Sequence, residues 1–187
     1  MRRKRVVLCE GQHDLIFLSL LLGAENQSVV SKNWGQICGA SDLSGESVTI
    51  KNFLRSRCTA SYLLKQDENR NTCIHQMWII YSYEREYPIK VVLDSDNGVT
   101  LDTLKNEMHK KMRKDLLNQE SSNLFRLKKE EESGVFLYPV TLTKEVKRVT
   151  GKALDSVRGV DLQKEILQEF ISNAPEWVHE LRDFLLH

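Results

Sequence analysis

Two short apolar segments of the chain end abruptly in acidic residues whose types and spacing suit metal chemistry. Arg5–Cys9 is followed directly by Glu10, and Ile89–Leu93 is followed by Asp94 and, two positions on, by Asp96. In an extended segment, residues i and i+2 face the same side, so both aspartates can point at one ion. Three converging carboxylates repel one another strongly unless a cation lies between them. Oxygen ligands of this kind favour Mg²⁺ or Mn²⁺ over Zn²⁺.

Each acidic group also has a plainer interpretation. Residues 94–98 read Asp-Ser-Asp-Asn-Gly, and Asp, Asn and Gly all favour turns. Glu10 and Gly11 can likewise be simple turn chemistry. The combination favours a site, because each group comes directly after a segment that reads as a buried strand.

The segments around the acidic residues predict an α/β fold. Arg5–Cys9 and Ile89–Leu93 read as buried strands, and the apolar stretch 14–22, closed by Gly23, reads as a helix against a sheet. A strand, a tight turn and a helix open an α/β unit, and parallel sheets of this class bind ligands at the carboxyl ends of their strands. We therefore expect a mostly parallel central sheet flanked by helices.

Periodicity and turn residues predict the remaining elements. They are a strand over 34–40, an amphipathic stretch over 48–64 that starts at a capping serine, a polar surface loop over 67–72, a helix over 74–86 in preference to a strand, a helix from Leu101, strands over 124–128 and 134–140 separated by the acidic run 130–132, and a helical end over 162–186 interrupted at Pro175. We assign residues 1–140 to the α/β domain and residues 141–187 to a C-terminal helical extension packed on it.

Composition excludes several classes of protein. The chain is 41% hydrophobic and 28% charged with a net charge of +1, which is ordinary for a globular domain and gives no global field for nucleic acid. No segment approaches the roughly 18 apolar residues of a membrane span, and the basic start lacks the apolar run of an export signal. We expect a cytoplasmic protein. The four cysteines form no CxxC pair, and no Walker-type loop predicts NTP hydrolysis.

The acidic segments resemble the two signatures of the TOPRIM domain. Val6–Asp14, with the sequence Val-Val-Leu-Cys-Glu-Gly-Gln-His-Asp before an apolar helix, resembles the first: a strand, Glu-Gly, two residues and Asp. Leu93–Asp96, with the sequence Leu-Asp-Ser-Asp, resembles the second, an Asp-x-Asp at the end of a later strand. Gly39 lies where such domains carry a glycine-bearing strand. The resemblance covers roughly residues 4–140 and implies a Rossmann-like fold.

The resemblance implies a role for each matching residue. Glu10 would act as a general acid or base, or as a metal ligand, while Asp94 and Asp96 would hold Mg²⁺ or Mn²⁺. Gly11 would permit the turn, and Asp14 would either orient the site or favour the helix dipole.

The chain also departs from the TOPRIM pattern. Primase and topoisomerase versions carry Gly or Ala five residues after the first aspartate of Asp-x-Asp, where this chain has Val99. The chain has neither the zinc-binding and polymerising parts of a primase nor an obvious strand-passage tyrosine domain. These differences favour a stand-alone or OLD-nuclease-like TOPRIM protein.

The reaction that the resemblance implies is metal-assisted hydrolysis of DNA or RNA. Weak candidates for contact with the substrate are His13, Lys110, Lys111, Arg113 and Lys114. The near-neutral charge leaves a second function open, a non-catalytic module that binds metal, nucleic acid or a partner ATPase. A metal-free receiver-like signalling domain is a third. The C-terminal helices leave a homodimer open.

Overall fold

Seven short strands form one sheet in the computed structural model, which describes residues 4–23, 29–30, 50, 53–55, 61–67, 69–83, 87–95, 101–112, 117–128 and 130–187. In chain order they are β1 (Arg5–Cys9), β2 (Val29–Val30), β3 (Tyr62–Gln66), β4 (Ile89–Leu93), β5 (Leu117–Gln119), β6 (Leu124–Leu127) and β7 (Glu130–Leu137). Their order across the sheet is β2-β3-β1-β4-β7-β6-β5. The first five in this order are parallel, and β6 and β5 run antiparallel at the edge.

Helices cover both faces of the sheet. In chain order they are α1 (Gln12–Gly23), α2 (Arg70–Tyr83), α3 (Leu101–Met112), α4 (Leu142–Thr150), α5 (Val160–Ser172) and α6 (Glu176–Leu186), with a 3₁₀ turn at Leu154–Ser156 between α4 and α5. One apolar core lies between the sheet and α2 and α3, and a second lies between the sheet and α1, α4, α5 and α6. The predicted class is confirmed: the chain has a Rossmann-like α/β fold with a mostly parallel sheet.

Burial on both faces explains why the central strands were readable in the sequence. In β1, Val6 and Leu8 belong to one core, and Val7 and Cys9 belong to the other. A parallel strand between two helical layers is buried on both faces, so it forms a nearly continuous apolar run, which Lys90 interrupts in β4. The predicted helices at 14–22 and 162–186 are also confirmed, the last divided into α5 and α6 around Pro175, and the helix predicted over 74–86 is confirmed as far as Tyr83, the last described residue there.

Three predicted elements are wrong. Tyr62–Leu64 begin a strand rather than end an amphipathic helix, because pairing with β1 buries them. The predicted surface loop 67–72 contains the buried Asp67 and the first turn of α2. Asn69 caps the start of this helix, because its Oδ1 accepts a 3.0 Å hydrogen bond from the Thr72 N–H. The acidic run 130–132 lies inside β7, since antiparallel pairing with β6 begins at Glu130. The predicted strand over 34–40 lies outside the described residues.

The C-terminal helices pack directly on α1. Phe17 of α1 lies 5.7 Å from Phe170 of α5 and 6.3 Å from Trp177 of α6, between ring centroids. Tyr138, which follows β7, joins the same aromatic cluster, 5.3 Å from Trp177. The domain boundary at residue 140 stays a prediction. None of the described helices combines the length and the apolar character that crossing a membrane requires.

Candidate metal site

The structure places Glu10 and Asp94 at the ends of neighbouring strands. β1 and β4 are parallel and paired from Val6 with Ile89 to Cys9 with Val92, so the two strands end within about one residue of each other. Glu10 follows the last residue of β1, Asp94 follows the last residue of β4, and both side chains are partly exposed. The acidic ends that are 84 positions apart in the sequence therefore meet at the carboxyl edge of the sheet.

Asp14, in the first turn of α1, is the third acidic group near this edge. Its side chain is buried, and its Oδ2 accepts a 2.8 Å hydrogen bond from the Gly11 N–H. A Cβ on residue 11 would lie 3.0 Å from the same oxygen, so glycine gives this turn its room. Burial, then the charge of Asp94, and less strongly that of Glu10, raise the pKa of Asp14 from 3.8 to about 7. The three carboxyl groups are therefore close enough to interact.

The start of α4 orients Asp94 from the other side. The Leu142 N–H, at the first position of this helix, lies 3.4 Å from the Asp94 Oδ1. The first N–H groups of a helix have no partners within the helix, and they carry a partial positive charge that favours a carboxylate. Asp94 thus lies at the start of α4, and its charge also acts on Asp14 in the first turn of α1.

Tyr138 is a residue of this edge that the sequence did not reveal. It follows the end of β7, the strand next to β4, and it is fully buried. Its hydroxyl lies close enough to the Asp14 carboxyl to oppose the rise in the pKa of Asp14, although it falls short of full hydrogen-bond geometry. Burial, with the nearby Asp14, raises the pKa of Tyr138 well above 10, so the phenol stays protonated.

Asp67 is the second residue that the sequence did not reveal. It follows β3 on the other side of β1, and its N–H donates a 2.8 Å hydrogen bond to the Cys9 carbonyl. Its buried carboxylate forms an ion pair with Lys65. An acidic residue directly after a strand was the usable signal, but the sequence predicts an amphipathic stretch over 48–64 and a polar loop over 67–72, with no strand before Asp67. Four neighbouring parallel strands thus end in Asp67, Glu10, Asp94 and Tyr138.

The two cysteines near this edge do not supply thiolates. Cys9 and Cys73 are buried and free. Burial raises the pKa of Cys9, with Asp14 adding to the rise, and burial followed by Asp67 raises the pKa of Cys73. Both groups stay as thiols, so the chemistry of this edge belongs to oxygen atoms.

The structure describes only some of the weak candidates for substrate contact. The His13 Nδ1 lies 3.6 Å from the Asp155 Oδ1, which ties the first turn of α1 to the 3₁₀ turn. Lys110 is exposed in the last turn of α3, nine positions or about 14 Å along the helix from Leu101. Lys111 follows it in the same helix. Gly39, Asp96, Arg113 and Lys114 lie outside the described residues, and the roles proposed for all of these residues stay predictions.

The donor chemistry of the edge fits a hard divalent cation. Glu10, Asp14 and Asp94 offer only carboxylate oxygens, which Mg²⁺ prefers, and their mutual repulsion is what a cation would relieve. Within the described ranges, no group of three or more His, Cys, Asp or Glu side chains is arranged to hold a metal ion by itself. The predicted ligand set also includes Asp96.

Comparison with protein-family models finds no match, and comparison with curated proteins finds none either. Among solved structures, the chain is similar to a de novo designed protein with a P-loop NTPase fold, determined by NMR in solution. The two share 13% identity over 90% of this chain and 93% of the designed chain, with a TM-score of 0.38. At this identity and TM-score, the similarity shows neither the fold nor the function of this chain. The coordinates themselves define the class, a Rossmann-like α/β protein with an acidic edge.

Proposed function

We propose that this chain is a TOPRIM-like, Mg²⁺- or Mn²⁺-dependent nuclease that hydrolyses phosphodiester bonds in DNA or RNA. One observation carries the proposal: Glu10 and Asp94 follow adjacent parallel strands, and the charges of both contribute to the raised pKa of the buried Asp14. Asp14 and Asp94 each accept a hydrogen bond from a backbone N–H, and a cation would further offset the repulsion among the three carboxyl groups. The two signatures noted in the sequence supply the reaction class.

Asp94 and Asp96 would hold the ion, and Glu10 would complete the ligand set or transfer a proton. A bound ion of this kind binds a phosphate oxygen and stabilises the charge that develops on it. The remaining groups act on these residues: the start of α4 orients Asp94, and the Gly11 N–H fixes Asp14 beside it. The side chain of Glu10 is partly exposed, so it is open to water and to substrate.

The test measures metal binding and cleavage separately in the full chain. Mn²⁺ binding is followed by calorimetry, and cleavage is followed on single-stranded DNA, duplex DNA and RNA with Mg²⁺ or Mn²⁺, with and without chelator. Glu10→Gln and Asp94→Asn should each reduce cleavage by at least about 100-fold, since each removes a group that acts on the reacting phosphate. Glu131→Gln and Asp161→Asn remove the same charges from exposed positions and should leave cleavage within about twofold of the unaltered chain.

The outcomes separate the candidate functions. Cleavage that persists in chelator, or in both site variants, would refute the proposal. Metal binding that depends on Asp94, without cleavage of any substrate, would instead support the non-catalytic binding module. Failure to bind Mn²⁺ would refute the nuclease and the metal-binding form of the module.

A further inference from the structure

Tyr138 is held at the acidic edge by both its backbone and its ring. Its N–H donates a 2.9 Å hydrogen bond to the carbonyl oxygen of Leu93, the residue directly before Asp94. Its ring packs against Phe17 of α1 and Trp177 of α6, with centroid separations of 6.3 Å and 5.3 Å. The side chain is therefore fixed by contacts with three elements, β4, α1 and α6.

The ring of Tyr138 lies on the face of α1 that carries Asp14. Asp14 and Phe17 are three positions apart, so they are neighbours on the surface of this helix. Tyr138 packs edge-on against Phe17. Burial and then the charge of Asp14 raise the pKa of Tyr138, which agrees with the closeness of the two groups. The packing thus brings the phenol hydroxyl beside the Asp14 carboxyl group.

The hydroxyl of Tyr138 lacks the partner that a buried polar group needs. The side chain has 0% of its surface exposed, and the oxygen completes no hydrogen bond with any part of the chain that the structure describes. Burial of a hydroxyl without a partner costs free energy, so the large majority of such groups in folded proteins have one. Phenylalanine would fill the same space between Phe17 and Trp177 without this cost. Packing alone therefore does not account for the hydroxyl.

A carboxylate beside a cation is an acceptor that suits this hydroxyl. The phenol donates one hydrogen bond, and donation to an ionised carboxylate is roughly twice as strong as donation to a neutral group. The Asp14 Oδ2 accepts from the Gly11 N–H, and a carboxylate has a second oxygen that can accept from the phenol. In metal sites, hydrogen bonds of this kind orient the groups around the ion.

We infer that Tyr138 is a positioning residue of the proposed metal site: with a divalent cation bound, its hydroxyl donates a hydrogen bond to the Asp14 carboxylate and fixes that carboxylate beside the ion. The inference rests on the proposed function, because it requires a cation at the acidic edge. Tyr138 contacts neither the ion nor the substrate and acts through Asp14. The Gly11 N–H and the phenol then hold the two oxygens of one carboxylate.

Tyr138→Phe tests the inference, because it removes the hydroxyl and keeps the ring. Calorimetry on the full chain should show an Mn²⁺ affinity about 10–100-fold lower than in the unaltered chain, the usual effect of removing a group that orients a metal ligand. Urea unfolding with chelator present should show a midpoint that is unchanged or higher, because the variant removes a buried hydroxyl that completes no hydrogen bond with the described residues. A hydroxyl with a structural role would lower the midpoint and leave the affinity unchanged.

Tyr62→Phe is the matched control, because it removes the same atom from a tyrosine that has partners. The Tyr62 hydroxyl donates a 3.2 Å hydrogen bond to the Leu185 carbonyl oxygen and accepts one of 3.4 Å from the Arg5 Nη1. Tyr62 is the first residue of β3, at the opposite end of this strand from the acidic edge. Its loss should lower the urea midpoint and leave the Mn²⁺ affinity within about twofold of the unaltered chain.

Asp14→Asn shows whether the hydroxyl acts through Asp14. The amide has no negative charge, so the phenol has no carboxylate to hold. Tyr138→Phe added to Asp14→Asn should therefore change the Mn²⁺ affinity by less than about threefold, against about 10–100-fold when Asp14 is present.

Three results would overturn the inference: an Mn²⁺ affinity of Tyr138→Phe equal to that of the unaltered chain, a urea midpoint that Tyr138→Phe lowers as Tyr62→Phe does, or an undiminished effect of Tyr138→Phe beside Asp14→Asn. Each of these leaves the proposed function standing, because the unaltered chain still binds the ion. An unaltered chain that binds no Mn²⁺ refutes the proposed function, and the inference with it.

Discussion

Replacement of Asp14 by Asn should stabilise the metal-free protein at and above neutral pH. The native pKa of Asp14 is about 7, against an ordinary value of 3.8, because the carboxyl group is buried beside Asp94 and Glu10. A raised pKa means that the native state holds the proton more tightly than the unfolded chain does. The free energy of unfolding therefore falls as the pH rises from 3.8 to about 7, and the loss is complete above that range.

The structure gives the size of this loss. The difference between 3.8 and about 7 is close to 3 pH units, or roughly 4 kcal/mol at 1.36 kcal/mol per unit. The asparagine side chain has nearly the same shape as the aspartate, keeps an oxygen that can accept the Gly11 N–H, and does not ionise. A neutral amide replaces some of the contacts of the carboxyl group imperfectly. We therefore expect Asp14→Asn to raise the free energy of unfolding by about 2–4 kcal/mol at pH 8 and by little or nothing at pH 4.

Urea unfolding at pH 4, 5, 6, 7 and 8 with chelator present measures this difference directly. Asp161→Asn serves as the control, because it removes a carboxylate that is exposed on α5. Effects of other titrating groups, Lys90 included, cancel when each variant is compared with the unaltered chain at the same pH. A stability difference between Asp14→Asn and the unaltered chain that stays constant from pH 4 to 8 would refute the reasoning.

Added Mg²⁺ separates the two causes of the raised pKa. A cation at the edge offsets the charges of Asp94 and Glu10 but leaves the burial of Asp14 unchanged. At pH 8 the unaltered chain should therefore regain part of the lost free energy of unfolding when Mg²⁺ is added, and Asp94→Asn should regain less. An equal gain in both chains would place the bound ion elsewhere.

Two further predictions concern stability. Lys65→Met removes the ion pair of the buried Asp67 carboxylate and should lower the free energy of unfolding by about 3–5 kcal/mol. Urea unfolding measures this loss. Adding Asp67→Asn to the same chain should restore most of it. Gly134→Ala places a Cβ 2.3 Å from the Phe125 carbonyl oxygen and should lower the free energy of unfolding by about 2 kcal/mol or more. The control is Gly23→Ala, whose Cβ would meet nothing within 4 Å and which should be neutral or stabilising. Equal effects of the two glycine changes, or no rescue by Asp67→Asn, would contradict these expectations.

The sequence could predict the parts of the fold whose signal is local. β1 and β4 are buried on both faces, and this burial leaves an apolar run that ends sharply at an acidic residue. Lys90 is the exception within β4: it shares a face of the sheet with Val92, and its side chain contacts Phe184 in the same core. The sequence could not predict that the Lys90 side chain is fully buried, because the helix that covers it comes 86 positions later.

The parts of the edge that were missed depend on which strands are neighbours. Tyr138 matters because β7 lies beside β4, and no feature of its own segment reveals that pairing. Asp67 was missed for a different reason. The segment Tyr62–Gln66 ends in the polar residues Lys65 and Gln66, so it continues the amphipathic pattern of the residues before it. Pairing with β1, a contact across 57 positions from Arg5 to Tyr62, decides that this segment is a strand.

Asp14 and Lys90 together give the metal-free protein an unusual dependence on pH. Both groups have a native pKa of about 7, one raised and the other lowered, because each is buried beside like charges. Asp14 reduces the free energy of unfolding progressively as the pH rises to 7, and Lys90 reduces it as the pH falls from 10.5 to 7. The combined contribution of the two groups to the free energy of unfolding is therefore least favourable near pH 7, where many proteins are most stable. A cation at the acidic edge would offset only the charges that act on Asp14, so binding there would raise the free energy of unfolding above pH 7 and leave the contribution of Lys90 unchanged.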